Sequence, residues 1–336
     1  MQVKNAGHPN NVSNFLGLLL LLLVFLGSWG WSSEAPQWPV LWQVLQGIPL
    51  NETDTFILLQ LRLPRLLLGM LSGMALSVSG LMLQGLFRNP LMDPFILGIS
   101  GGGALGAGVA ILFGLQWSLW GLSSVTLAAF VGASAMLLWV YRLGHYRGML
   151  VMDRLLLAGV ALSAMSSALL SLILVIRGEG MEKVVYWIMG SLNGKGWSAF
   201  QALILPLVIA LPLMYQRLHA LNILQTGEEV AHSLGLNTRR LKIEVLVLSS
   251  LLAAAVVSVC GVIGFVGLMV PHMVRLVYRT SDFRQIFWPC LWMGGALLMF
   301  ADAFARNALP QQEIPVGIFT ALLGVPFFLS QLRKTP

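Results

Sequence analysis

Three arginines are the side chains in this sequence best able to grip acids. Arg62 and Arg65 frame the tetrad Arg62-Leu-Pro-Arg65 at the head of one long apolar run, and Arg306 lies at the end of another. A guanidinium presents a planar fork of donors that engages a carboxylate at two points. Three of them on one rim suit the capture of an acidic partner surface. The same side chains also serve as interfacial anchors, with stems in lipid and heads in water. Asp302 and Arg306 are four residues apart, so the spacing predicts an ion pair along one helix face.

A second group points to a docking element. Thr226-Gly-Glu-Glu229 has the form of a capping box, which opens a helix, and Gly235 is placed to close it. The expected helix, 227–234, carries Val230 and Leu234 on one face and Glu228, Glu229 and His232 elsewhere. A short, rigid, half-apolar helix fits a groove on a partner protein. Helices that lie on lipid headgroups carry Lys or Arg on their polar face, and this one carries acids.

Gly159, Ser163, Ser167 and Ser171 recur every fourth residue and form one small, slightly polar stripe. A stripe of this kind lines a water-filled passage or lets helices approach closely; taken alone, the spacing favours packing. Two segments dense in Gly or Pro, from Arg88 to Pro94 and from Gly261 to Arg275, have the composition of broken helices, which often mark transport paths. His272 is a lone imidazole and a poor metal site. Cys260 and Cys290 lie in apolar runs and read as buried hydrophobes.

Energy-converting chemistry is missing from the pattern. Gly190-Ser-Leu-Asn-Gly194-Lys195-Gly196 has the wrong spacing for a phosphate-cradling loop and no Ser or Thr after the lysine. Nor do the apolar runs hold the relay of acids and histidines that a proton-coupled carrier uses. The work therefore has to be supplied by another protein.

The elements that position these groups are membrane helices. Of the 336 residues, 57% are hydrophobic and only 10% charged, too few charges to cover a soluble surface. Apolar runs near the length of a bilayer crossing place spans at 14–31, 63–87, 94–114, 118–141, 154–176, 197–215, 241–260, 262–278, 285–305 and 314–332. The run 262–278 is short and holds Pro271, so it is the one to expect broken. With the N-terminus inside, Lys4, Arg333, Lys334 and eleven other basic residues face the cytoplasm, out of 20 Lys and Arg in all. That asymmetry follows the positive-inside bias, and Trp29, Trp31, Trp38, Trp42 and Trp117 gather at the outer boundary. The net charge of +7 is scattered through loops and makes no nucleic-acid face. The sequence thus predicts an all-α polytopic membrane protein, residues 1–336 forming a single permease domain with a cytoplasmic loop over 216–240.

At this point the sequence resembles the permease subunits of the iron-siderophore, haem and cobalamin class of ABC importers. The resemblance rests on Arg62-Leu-Pro-Arg65, the run from Leu83 to Pro94 with Leu97-Gly-Ile-Ser-Gly101, Gly227-Glu-Glu-Val-Ala231 with Leu234-Gly235, Gly264 to Arg275, and Glu313-Ile-Pro-Val-Gly317 with Leu323-Gly-Val-Pro326. It covers about 56–332. It implies ten spans, a homodimer with the pathway on its two-fold axis, two cytosolic ATPase subunits holding ATP and Mg, no cofactor on this chain, and a periplasmic binding protein, all at a bacterial inner membrane. By matching position it assigns Arg62, Arg65 and Arg306 to binding-protein docking, Gly227, Glu228, Glu229, Val230, Ala231, Leu234 and Gly235 to ATPase coupling, and the fifth-span stripe to the pathway. Some permeases of this kind carry molybdate or another oxyanion. A partner-independent secondary carrier and an intramembrane enzyme built on Ser163 or Ser167 with His272 are the competing readings.

Overall fold

A computed structural model describes residues 11–30, 50–147, 149–309 and 312–332, with positions 39, 42, 43 and 46. Lys4, Trp31, Trp38, Arg333 and Lys334 lie outside the described residues. Among the described residues the chain is helical, with two minimal hairpins, β1–β2 (Ser118–Leu119, Leu122–Ser123) and β3–β4 (His145–Tyr146, Met149–Leu150).

Twelve described helices follow in order. They are α1 Asn11–Gly30, α2 Glu52–Phe87, α3 Ile99–Leu112, α4 Ser124–Gly144, α5 Met152–Arg177, α6 Met181–Ile188, α7 Trp197–Gln225, α8 Glu228–Ser233, α9 Thr238–Cys260, α10 Val266–Tyr278, α11 Phe283–Asn307 and α12 Val316–Leu332. Six of them are long and apolar enough to cross a membrane, and α1, α3, α10 and α12 are shorter apolar helices. Together they are ten apolar helices, matching in number the spans expected. α6 and α8 are the short extras.

Four boundaries differ from expectation for local reasons. The fourth span, expected from 118, begins as α4 only at Ser124, because 118–123 fold into the β1–β2 hairpin and Ser123 caps the helix by accepting from the Thr126 amide. α2 begins at Glu52, not at 63, because Asn51 caps it by accepting from the Asp54 amide at 2.7 Å. Pro64 does not start the helix. Residues Ile57–Arg62 widen into a π-helical turn just before it, which absorbs the clash between a proline ring and the preceding turn. The third span opens as a 3-10 turn, Pro94–Leu97, capped by Asp93, and becomes α3 only after Gly98 at φ +83°. The loop set at 216–240 shrinks, since α7 continues to Gln225.

α2 is the central post. α11, α9, α7 and α10 pack around it, and their apolar side chains share one buried core. Close crossings are built on glycine: Gly73 of α2 lies on the Gly294 backbone of α11, and Gly80 lies on the Gly267 carbonyl of α10. The glycines of α3 work likewise, with Gly102 against Gly132 and Gly106 against the Ala128 carbonyl of α4. Small residues permit this backbone contact between lipid-embedded helices. By contrast, α5 leaves most of its surface bare.

The half-helix expected near 262–278 is present. α10 has 13 residues, about 20 Å of rise, and begins only after an irregular stretch ending at Phe265, φ +69°. Inside it Pro271 lacks the N–H that would bond the Gly267 carbonyl. Gln84 of α2 supplies the missing donor: its Nε2 donates to Gly267 O at 3.2 Å and to Leu268 O at 3.3 Å. Its Oε1 accepts from Arg275 Nη1 at 2.6 Å. One amide therefore repairs the break and holds the nearby guanidinium.

Candidate functional site

The outer arginines form one cluster, though not as open forks. Arg65 donates through Nε and Nη2 to Asp302 at 2.9–3.2 Å and through Nη1 to Glu313 at 2.9 and 3.1 Å. Arg306 lies 3.3 Å from Asp302 Oδ2, so the expected four-residue pair is formed. Arg306 Nη2 donates to the Ser28 carbonyl at 3.2 Å, and Arg62 Nη1 donates to the Trp29 carbonyl at 3.2 Å. Ser28 and Trp29 belong to the last turn of α1, where carbonyls have no partner within the helix. The two arginines thus satisfy the C-terminus of α1 while Asp302 joins α2 to α11. Sequence reasoning named the three arginines and Asp302 but missed the role of Glu313, which stands 248 positions from Arg65.

At the other end, α8 stands where the coupling helix was expected. The capping box itself does not form: Thr226 Oγ1 donates back to Ile223 O of α7 at 2.8 Å, and Gly227, φ +122°, takes the cap position without a side-chain bond. The C-terminus closes as expected. Gly235, φ +81°, donates to His232 O at 2.9 Å and Leu236 donates to Ala231 O at 3.0 Å, the paired bonds of a Schellman ending.

The helix is fixed from beneath. Ala231 is fully buried, and Glu228 accepts from Lys242 Nζ of α9 at 2.6 Å through both oxygens. The adjoining end of α7 is tied down as well, Gln225 Nε2 donating to Gly85 O at 2.8 Å and Asn222 Nδ2 to Asp282 Oδ1 at 2.6 Å. On the opposite face Val230 and Leu234 remain 47% and 66% exposed. A rigid mount with a bare apolar face is the geometry of a docking plug.

The stripe on α5 divides in two. Gly159 packs on the Ile96 carbonyl, and Ser163 lies against Gly101 of α3, so this end is a helix–helix contact. Ser167 and Ser171 are exposed. His272 sits edge-on to Phe327 of α12, with ring centroids 5.7 Å apart. Among the described residues no group of acids, histidines or cysteines could hold a metal ion. Cys260 and Cys290 are free and buried, as the apolar reading expected.

The profile of the FecCD transport family matches residues 18–334. The hemin transport system permease protein HmuU of Yersinia pestis is 41% identical over 322 residues, covering 94% of this chain and 93% of that protein. The molybdate import system permease protein MolB of Haemophilus influenzae is 34% identical over 319 residues, covering 93% of each. A solved structure of a metal-chelate-type ABC transporter in an inward-facing conformation superposes with a TM-score of 0.84 at 30% identity, over 96% of this chain and 98% of that one. This multi-pass membrane protein belongs to the FecCD transport family, as a permease subunit of an ABC importer.

Proposed function

We propose that two copies of this chain form the translocation pathway for a metal chelate such as a ferric siderophore, haem or cobalamin, in a bacterial cytoplasmic membrane. A periplasmic binding protein delivers the chelate to the rim of Arg62, Arg65 and Arg306. Two cytosolic ATPase subunits, holding ATP and Mg, grip the α8 helices. The observation that carries the reading is α8: a helix pinned by Ala231, Lys242 and the α7 end, with Val230 and Leu234 bare.

In mechanical terms, closure of the ATPase pair pushes on two helices that cannot yield separately from α7 and α9. The push becomes a tilt of the permease halves about their common axis, opening one side and then the other. The exposed Ser167 and Ser171 side of α5 lines the passage, and its lack of charge suits a large preformed cargo with its own ligands.

Replacing Val230 and Leu234 with Asp tests the reading. The permease is expected to assemble in the membrane but no longer to co-purify with its ATPase; an intact complex would sink the assignment. The 34% identity to a molybdate permease favours an oxyanion as the second reading. Uptake of hemin against molybdate by vesicles holding the full assembly separates the two. Uptake by this chain alone, driven by an ion gradient, would favour the secondary carrier.

A further inference from the structure

We infer that Glu313 occupies, on Arg65, the place of the partner's carboxylate, and that docking displaces it. The inference rests on the docking role proposed above. Arg65 divides its guanidinium between two acids of different standing. Nε and Nη2 are committed to Asp302, whose side chain is 3% exposed, while Nη1 faces Glu313, which is 37% exposed. Asp302 cannot leave without stranding two guanidiniums, Arg65 and Arg306, each 12% exposed. Glu313 can turn into water at little cost, because an exposed ion pair is weak.

The charge balance points the same way. Arg65 and Arg306 face Asp302 and Glu313, two positive groups against two negative, so the charges balance while Glu313 is in place. With Glu313 withdrawn one positive charge is in excess, and Nη1 of Arg65 is open to a new acceptor, its direction still set by Asp302. An incoming acid that reaches Nη1 takes up this prepared position; one that misses it meets the repulsion of Glu313. Glu313 therefore selects for partners that place a carboxylate on this atom, and so works as a specificity-determining residue.

The test uses the assembled permease–ATPase complex in nanodiscs and its binding protein. Glu313→Gln is expected to tighten the complex two- to fivefold, the worth of one exposed pair, through faster association and with a steeper salt dependence. Glu182→Gln, which neutralises an exposed acid on α6, controls for net charge and is expected to change nothing. Equal tightening by both variants, or no tightening by Glu313→Gln, overturns the inference. Arg62→Glu and Arg65→Gln, the latter leaving Asp302 paired with Arg306, test the docking role itself. If these abolish binding while Glu313→Gln is silent, the rim docks but Glu313 does not gate it. If they too leave binding intact, the docking reading fails.

Discussion

Gln84→Leu isolates the repair of the helix break at Pro271. The substitution roughly keeps the volume and removes three bonds: Nε2 to Gly267 O, Nε2 to Leu268 O, and Oε1 from Arg275. Leu268 O retains its own helical partner, so its loss counts little. Gly267 O keeps none, since Pro271 has no N–H, and an unsatisfied buried carbonyl costs about 1–3 kcal/mol. Arg275 is part-buried and recovers some hydration, so its loss adds about 1 kcal/mol. The sum is about 3 kcal/mol.

Pro271→Ala restores a donor to the same carbonyl. In the Gln84→Leu background it should recover about 1 kcal/mol or more, whereas in the native background it should be close to neutral. Unfolding of the purified complex in mixed detergent–SDS micelles measures all four corners of the cycle. Costs that add within about 0.5 kcal/mol would refute the claim that Gln84 serves the proline break.

Asp302→Asn should destabilise by about 3–5 kcal/mol, the cost of breaking a buried pair, measured by the same unfolding assay. Gly80→Ala drives a methyl into the Gly267 carbonyl and should cost about 3 kcal/mol, read as loss of the folded complex on size exclusion. Burial pushes the Asp93 carboxyl from its ordinary 3.8 up to about 6, with the Phe95 amide opposing. An acid with a raised value binds its proton more tightly when folded, so stability should fall as pH rises from about 4 to 6, by up to about 3 kcal/mol. Asp93→Asn keeps the cap and should flatten that pH profile in thermal melts. Ser167→Cys and Ser171→Cys should react with a water-soluble maleimide faster than Ser163→Cys, against the buried Cys260 and Cys290.

What the sequence disclosed, and what it hid, divides by range. The spans, the Gly235 ending and the Asp302–Arg306 pair follow from period and spacing within one segment. The sequence places the start of α2 at 63, beside Pro64, whereas the folded helix begins at Glu52 and carries that proline internally after a π turn. The capping box failed for a similar reason: Thr226 completes α7 instead of opening α8. The acids that hold Arg65 lie 237 and 248 positions away, and no local pattern reaches that far. Gln84 was visible only as an amide in an apolar run; the proline it serves is on another helix.

α2 carries both the arginine cluster and the Gln84 pin. Nineteen residues separate Arg65 from Gln84 along one continuous helix, about 28 Å of rise. A tilt of about 5° over that span shifts one station by about 2.5 Å relative to the other, close to the length of a hydrogen bond. Bonds near the two ends of α2 are thus carried by one continuous helix, and the exchange proposed at Arg65 would reach Gln84 and α10 as a tilt of that helix.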